Sequence, residues 1–304
     1  MKLTFLVLIL TACAAFAEDP TPAAATRADD ALSSILVPGD DWQIAVDGLG
    51  FADGLSCDAQ GNLYFADLKG DNAGVYRLAP DGTKTKLASG GKSGTRLGPD
   101  GRLYACGGKV LVAFDLKSGA QETPVANNIG TNDLAVSKQG FVYITDTGKK
   151  QVTRINAKTG EVTAADTGIT APNGIGLSPD HATLYVSDYG GTNVWAFKVQ
   201  PDGSLADKKP LMTMKAPENK PTVAAGDGLT VDSAGRVYVT TALGVQVFDP
   251  KGQHLGNIQT PGGKGPLVSA GFAGKDLDHL YIACGDKLYK RKTQVKGAAA
   301  PAAR

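Results

Sequence analysis

A chain of 304 residues with 42% hydrophobic residues and 39 glycines has ample material for a core and accommodates one all-β domain of about 250 residues. With 31 basic against 30 acidic residues and a net charge of +1, it offers no electrostatic case for a nucleic-acid partner, which would want a basic surface. Its one basic cluster, Lys287 to Lys296, reads as a solvated last strand and tail.

The first element is an export signal. Lys2 precedes the apolar run Leu3 to Leu10, and small residues follow up to Ala15-Phe16-Ala17. That order is a charged region, a hydrophobic region and an A-x-A cleavage pattern, and the run is too short to span a bilayer. Leu10-Thr11-Ala12-Cys13 also fits a bacterial lipobox, in which Cys13 is lipidated and anchors the chain to a membrane. The first reading places residues 1–17 in the signal and the second ends it before Cys13; both place the mature protein in the periplasm or outside the cell. Residues 18–41, rich in Ala, Pro, Thr and Asp, are expected to form a linker. Residues 293–304 are expected to be a disordered tail. Cleavage after Ala17 leaves Cys57, Cys106 and Cys284, an odd number for an exported chain. They read as small buried strand residues.

Residues 42–292 carry a repeat. Tyr64, Tyr104, Tyr143, Tyr185, Tyr238 and Tyr281 are spaced by 40, 39, 42, 53 and 43 residues, and such a period marks a repeat architecture. Each repeat reads as a short apolar strand, a Gly-containing turn, a strand bearing the tyrosine, a third strand, a second turn and a weaker fourth strand. The third repeat shows it from Asn132 to Thr163, with turns at Ser137-Lys138-Gln139-Gly140 and Asn156-Ala157-Lys158-Thr159-Gly160. Six repeats of four antiparallel strands predict an all-β, six-bladed β-propeller. The last repeat has only Lys287 to Lys292 after its tyrosine strand. A strand at about 42–46 is therefore expected to complete the sixth blade and to cover its edge. The extra length before Tyr238, around Lys208 to Ala225, is expected to be a long loop near a channel mouth. The tyrosines themselves read as packing residues.

An oxygen-bearing residue precedes each tyrosine by 11 or 12 positions: Asp53, Ser93, Asn132, Asn173, Asp227 and Ser269. Four stand in similar strings, Asp53-Gly54-Leu55, Asn132-Asp133-Leu134, Asn173-Gly174-Ile175 and Asp227-Gly228-Leu229. Equivalent positions on six blades must form a ring at one end of the channel. Any one string is ordinary turn chemistry; four at one register point to a ligand ring. Carboxylates and carboxamides suit a hard divalent cation, Ca²⁺ first, with Mg²⁺, Mn²⁺ and Zn²⁺ as alternatives. His181, His254 and His279 fall in or beside turns and read as exposed, which argues against a Ser-His-Asp triad.

These strings resemble those of the family of senescence marker protein 30, gluconolactonases and related lactonases, over about Trp42 to Arg291. The resemblance implies a six-bladed propeller with one divalent metal in its channel, hydrolysing lactones or similar esters. It implies Asp53, Asn173 and Asp227 as metal ligands and Asn132 as a residue facing substrate. The family's first ligand is a Glu, here the shorter Asp53, and its usual aromatic near that ligand is Cys57. Sugar-lactone-hydrolysing members carry an Arg two residues before the blade-three Asn, where this chain has Gly130; Arg96 is the nearby candidate to replace it as an oxygen-binding fork. The expected chemistry is metal-assisted hydrolysis, with Asp227 as general base or a metal-borne hydroxide as nucleophile. The expected partner is a small lactone or ester, and the chain is expected to be a monomer. The competing reading is a non-catalytic NHL-like propeller that binds a protein or small ligand around a structural Ca²⁺.

Overall fold

The computed structural model describes residues 31–116, 124–261 and 265–299. The expected signal and Cys13 lie outside the described residues. Among the described residues, no helix is long and apolar enough to cross a membrane.

After β1 (Gln43–Val46), the strands run in chain order through six sheets. The first holds β2 (Ala52–Cys57), β3 (Leu63–Asp67), β4 (Gly74–Leu78) and β5 (Lys84–Ser89). The second holds β6 (Thr95–Leu97), β7 (Arg102–Cys106), β8 (Val110–Asp115) and β9 (Ala126–Asn127). The third holds β10 (Leu134–Val136), β11 (Phe141–Asp146), β12 (Gln151–Asn156) and β13 (Val162–Thr167). The fourth holds β14 (Pro172–Leu177), β15 (Thr183–Asp188), β16 (Asn193–Val199) and β17 (Leu205–Thr213). The fifth holds β18 (Leu229–Val231), β19 (Val237–Thr241), β20 (Gly244–Phe248) and β21 (His254–Ile258). The sixth holds β22 (Leu267–Ala273), β23 (His279–Cys284) and β24 (Lys287–Lys292), with β1 as its fourth strand in the order β1-β24-β23-β22. Each sheet has four antiparallel strands, and the ring of blades is closed by the N-terminal strand as the pattern requires.

The marker tyrosines are buried, and their hydroxyls show why the position calls for Tyr rather than Phe. Tyr64, Tyr104 and Tyr238 donate to Asp58, Asp100 and Asp232 in the turn of their own blade, at 2.7–3.1 Å. The same carboxylates accept turn amides, as Asp58 does from Gln60 and Asn62. A polar tip satisfied at the turn lets the ring sit in the apolar space between blades.

Several expectations change. Residues 31–41 are docked against the sixth blade. They include a helical turn at 31–33 and a bridge from Leu36 to Thr293, and Ile35 is fully buried against Tyr238, Val247 and Phe272. The tail is ordered to Ala299: Thr293 N–H donates to Asp278 O at 2.7 Å, Gly297 to Leu277 O at 2.8 Å and Ala298 to Val231 O at 3.1 Å. Of the long connection around Lys208 to Ala225, the start belongs to β17, and Met214 and Ala224 are buried rather than looped out. His181, His254 and His279 are half-buried. His254 Nε2 lies 2.7 Å from Asn257 Oδ1 and His279 Nδ1 lies 2.7 Å from Asp278 Oδ1.

Candidate metal and active centre

Where each first strand begins, two residues face one on the second strand. In the third blade Asn132 N–H donates to Thr145 O at 2.9 Å and Thr145 N–H to Asp133 O at 3.0 Å. Ser93 and Gly94 face Cys106 in the same way, as Asp227 and Gly228 face Thr240. The β2–β3 and β14–β15 ladders break register at the same place. This is a β-bulge, which twists the strand and turns the extra side chain out of the ladder. Repeated around the molecule, it places Asp53, Ser93, Asn132, Asn173 and Asp227 at one register on the channel.

The sixth blade differs. Its ladder pairs Gly271 with Tyr281 and Ser269 with Ala283, with a shift between Leu267 and Ser269. Counted from the tyrosine, Ser269 therefore matches Asp133, and Val268 takes the place expected for Ser269. The cause is the longer turn between β22 and β23. The ring is five oxygen-bearing side chains and one valine.

At the second bulge position the other blades have Gly54, Gly94, Gly174 and Gly228. Gly54 has φ +62, and a Cβ on it would lie 2.1 Å from Ser93 O. Asp133 and Ser269 are the exceptions, and each accepts an amide from the next blade: Ile175 N–H to Asp133 Oδ2 at 3.4 Å and Leu55 N–H to Ser269 Oγ at 3.2 Å. Asp133 is the residue that sequence reasoning passed over. Its signal was an Asp in a position otherwise held by Gly in the aligned strings.

The ring's backbone is held from blade to blade by hydroxyls. Ser93 Oγ donates to Asn132 O at 2.6 Å, Thr145 Oγ1 to Asn173 O at 2.6 Å and Ser187 Oγ to Asp227 O at 2.8 Å. Thr95 Oγ1 donates to Gly54 O. Ser93 thus serves the ring as a donor to backbone. The segments leading into the ring are pinned by carboxylates three residues past the tyrosine. Asp67 accepts the Gly50 and Phe51 amides at 3.0 and 2.9 Å, and Asp188 accepts that of Ala171 at 2.9 Å.

Charge at the ring is one-sided. Burial, and then the Asp133 carboxylate, push the Asp53 carboxyl up to about 7. Burial first, then Asp53 and Asp133, hold Asp227 well above the usual carboxylate range. Burial raises Asp133, while the Arg96 guanidinium pulls it down. Asp53 accepts the Gly54 amide at 2.7 Å. Among the described residues, no cationic side chain pairs with Asp53 or Asp227, and no hydrogen bond engages the carboxamides of Asn132 or Asn173. Mutually repelling carboxylates and unengaged amide oxygens make a site short of positive charge, which a hard cation would correct. Among the described residues no three His, Cys, Asp or Glu side chains converge tightly enough to chelate a metal alone, so the amide oxygens are required members of the donor set. Asp53, Asn173 and Asp227 fit a divalent cation in that sense.

Beside Asp227, between the fourth, fifth and sixth blades, opens a cleft of about 390 Å³ lined by Tyr189, Thr241, Thr260, Pro261 and Leu267 among others. Among the described residues its lining carries no Lys or Arg. The Asp146 carboxylate occupies the space beside Gly130, where a Cβ would lie 2.2 Å from Oδ2, so a longer residue there would have to displace it. Arg96 does not substitute for an arginine there: it lies along the channel, donates from Nε to Leu134 O at 3.3 Å and borders a different cavity at the far end. Burial raises all three thiols above the ordinary cysteine value, including that of Cys284, which lines the cleft. Cys106 and Cys284 are buried, Cys57 is half-buried at the far cavity, and burial pushes the Cys57 thiol up to about 12.

The model of the SMP-30/gluconolactonase/LRE-like region matches residues 51–285. A gluconolactonase of Zymomonas mobilis is 27% identical over 250 residues, covering 72% of this chain and 69% of the relative. Among solved structures, a gluconolactonase of Xanthomonas campestris superposes with a TM-score of 0.72 at 26% identity, covering 86% of this chain and 92% of that one. Regucalcin of Agrobacterium tumefaciens, a calcium-binding protein, superposes with a TM-score of 0.72 at 18% identity over 87% of this chain and 98% of its own, a likeness of fold.

Proposed function

Because the chain belongs to the SMP-30/gluconolactonase/LRE-like family, we propose that it is a lactone hydrolase whose reaction centre is the cleft above Asp227. The observation that carries this reading is a cleft that reaches Asp227, a member of the ring with no cationic partner among the described residues. A purely structural cation site would be closed over by protein oxygens, so the open cleft favours catalysis over the NHL-like binding module.

Asp53, Asn173 and Asp227 would hold the cation, with Ca²⁺ the best match to an all-oxygen donor set. When bound, it would supply Lewis-acid polarisation of the lactone carbonyl. The chain's own residues do the remainder. Asn132, on the channel register with its carboxamide unengaged, orients the carbonyl or the attacking water by hydrogen bonding. Asp227, at the cleft floor, takes the proton from water as the ring opens and returns it to the departing alkoxide, leaving a hydroxy acid. The blade hydroxyls keep both residues in place at no cost in reorganisation.

The cleft also speaks to substrate. Hydroxyl groups of Tyr189 and Thr260 beside Pro261 and Leu267, with the Thr241 hydroxyl spent on Gly244 O and Gln246, and with Asp146 beside the Gly130 position, suit a neutral lactone with few hydroxyls better than a polyhydroxylated sugar lactone. The export read from Lys2 to Ala17 belongs to the same proposal and would place this activity in the periplasm or outside the cell.

A panel of sugar and aliphatic lactones, assayed before and after chelation, tests the reading. Turnover should vanish with chelator and return with Ca²⁺. Asp227→Ala should lose cation binding and hydrolysis together, the latter by about 100-fold or more. Full activity in that variant, or turnover indifferent to chelation, would sink the proposal.

A further inference from the structure

The first strands all run the same way along the channel, so their last residues meet at the end opposite the ring. There they enclose a second cavity of about 100 Å³. At ~10–15 Å³ for each water-sized group, it has room for roughly seven to ten of them. Among the described residues its lining contains no Asp or Glu, and its one permanent charge is Arg96. That guanidinium spends only its Nε, on Leu134 O at 3.3 Å. Among the described residues it has no carboxylate within ion-pair distance, and its two terminal nitrogens have no hydrogen-bond partner. The Asp133 carboxyl feels this guanidinium from beyond ion-pair distance, and the half-buried fork keeps two terminal nitrogens for a carboxylate that enters the cavity.

A second observation marks the same mouth. The first turn of four blades has Gly in the left-handed position, at Gly61, Gly101, Gly140 and Gly235; the fourth blade has His181 there, at φ +62, and the sixth has Leu277, at φ +55. Of these two, His181 lines the cavity. The turn is one residue longer than its counterpart in the third blade, and His181 lines the cavity. His181 Nδ1 accepts the Lys138 amide at 3.2 Å. The neutral ring therefore carries its proton on Nε2, as a donor. Leu55, Val231 and Phe272 supply apolar wall.

We propose that the far end of the channel is a separate binding site for a small, mostly apolar monocarboxylate, with its oxygens on Arg96 and His181 Nε2–H and its carbon chain against Leu55, Val231 and Phe272. The channel is then divided by charge, acidic at the ring and basic at the far mouth, so the two ends select ligands of opposite sign.

Calorimetric titration of the full-length protein with valerate and with valeramide, which matches its shape without the charge, tests this. Valerate should bind saturably, and valeramide about tenfold more weakly or worse, the expected loss of a charge-assisted pair. Arg96→Met should lose valerate to the same degree, Arg96→Lys should recover part of it, and Asp227→Asn should leave it unchanged. Equal binding of acid and amide, undiminished binding in Arg96→Met, no saturable binding, or loss in Asp227→Asn would each overturn the site. Should Arg96→Met fail to fold, the acid and amide comparison on the natural chain decides alone. Because the Asp227→Asn arm reads the far site independently of hydrolysis, failure here and failure of the lactonase reading are distinguishable.

Discussion

At the scale of single residues, small differences in side-chain length and position separate this chain from the pattern it follows. Asp133 replaces the glycine of the second bulge position and adds a third carboxylate to the ring's surroundings. The Asp146 carboxylate occupies the space beside Gly130. His181 makes a pH prediction. Burial first, then nearby Lys138, lower its pKa below the ordinary histidine value. A histidine favoured neutral in the fold contributes stability that is fully present above its unfolded pKa and is lost as pH falls below about 6.5. Melting curves at pH 7 and pH 5 should therefore show a larger fall for the natural chain than for His181→Asn, whose side chain tolerates the left-handed turn without titrating. His254, also lowered by burial, adds to the fall in both proteins and cancels in the comparison. An equal fall would show that His181 is not held neutral.

At the scale of elements, the repeated unit is the bulged start of each first strand together with the hydroxyl that crosses from the blade before it. Ser187 and Thr145 touch no substrate in the proposed reaction; they are positioning residues that act through the backbone of Asp227 and Asn173. Losing one such buried hydrogen bond costs about 1 kcal/mol of stability. Its effect on the centre should be larger, because ligands held from behind lose about tenfold in metal affinity when that support goes. Ser187→Ala should thus remain folded, melt slightly earlier and bind Ca²⁺ about tenfold more weakly by calorimetry. Unchanged Ca²⁺ affinity with a lowered melting point would reduce the hydroxyl to a purely structural role. These elements were legible in part. The spacing from Tyr143 back to Asn132 and from Tyr238 back to Asp227 found the ring register without a structure, since equal turn lengths keep equal register, but it did not foresee the bulge that turns those side chains out of the ladder. It misplaced Ser269, where a longer turn shifts the count and Val268 takes the ring position.

At the scale of the whole molecule, closure depends on the chain's two ends. β1 pairs with β24, and the segment before it wedges Ile35 between the fifth and sixth blades. The C-terminal segment crosses from Thr293 to Ala298, which hydrogen bonds to Val231 beside the far mouth. Ile35→Ala should destabilise the protein by about 2–5 kcal/mol, the ordinary cost of emptying a buried aliphatic site, measured by denaturant unfolding. A loss well under 1 kcal/mol would mean that the docked segment contributes little to closing the ring. The period, the blade count and the closing strand were determined by the sequence alone, because each follows from local alternation and from a repeat that must bury its faces against its own copies. So were Asp53, Asn132, Asn173 and Asp227 as members of one register. The tertiary structure decided what surrounds them: that Asp133 faces Asp53 and Asp227, that the Arg96 guanidinium lines the opposite mouth, and that Asp146 fills the space at Gly130. These depend on the neighbouring blade, about 40 residues away in the chain, whose side chains and turn lengths set direction and room that no single repeat encodes.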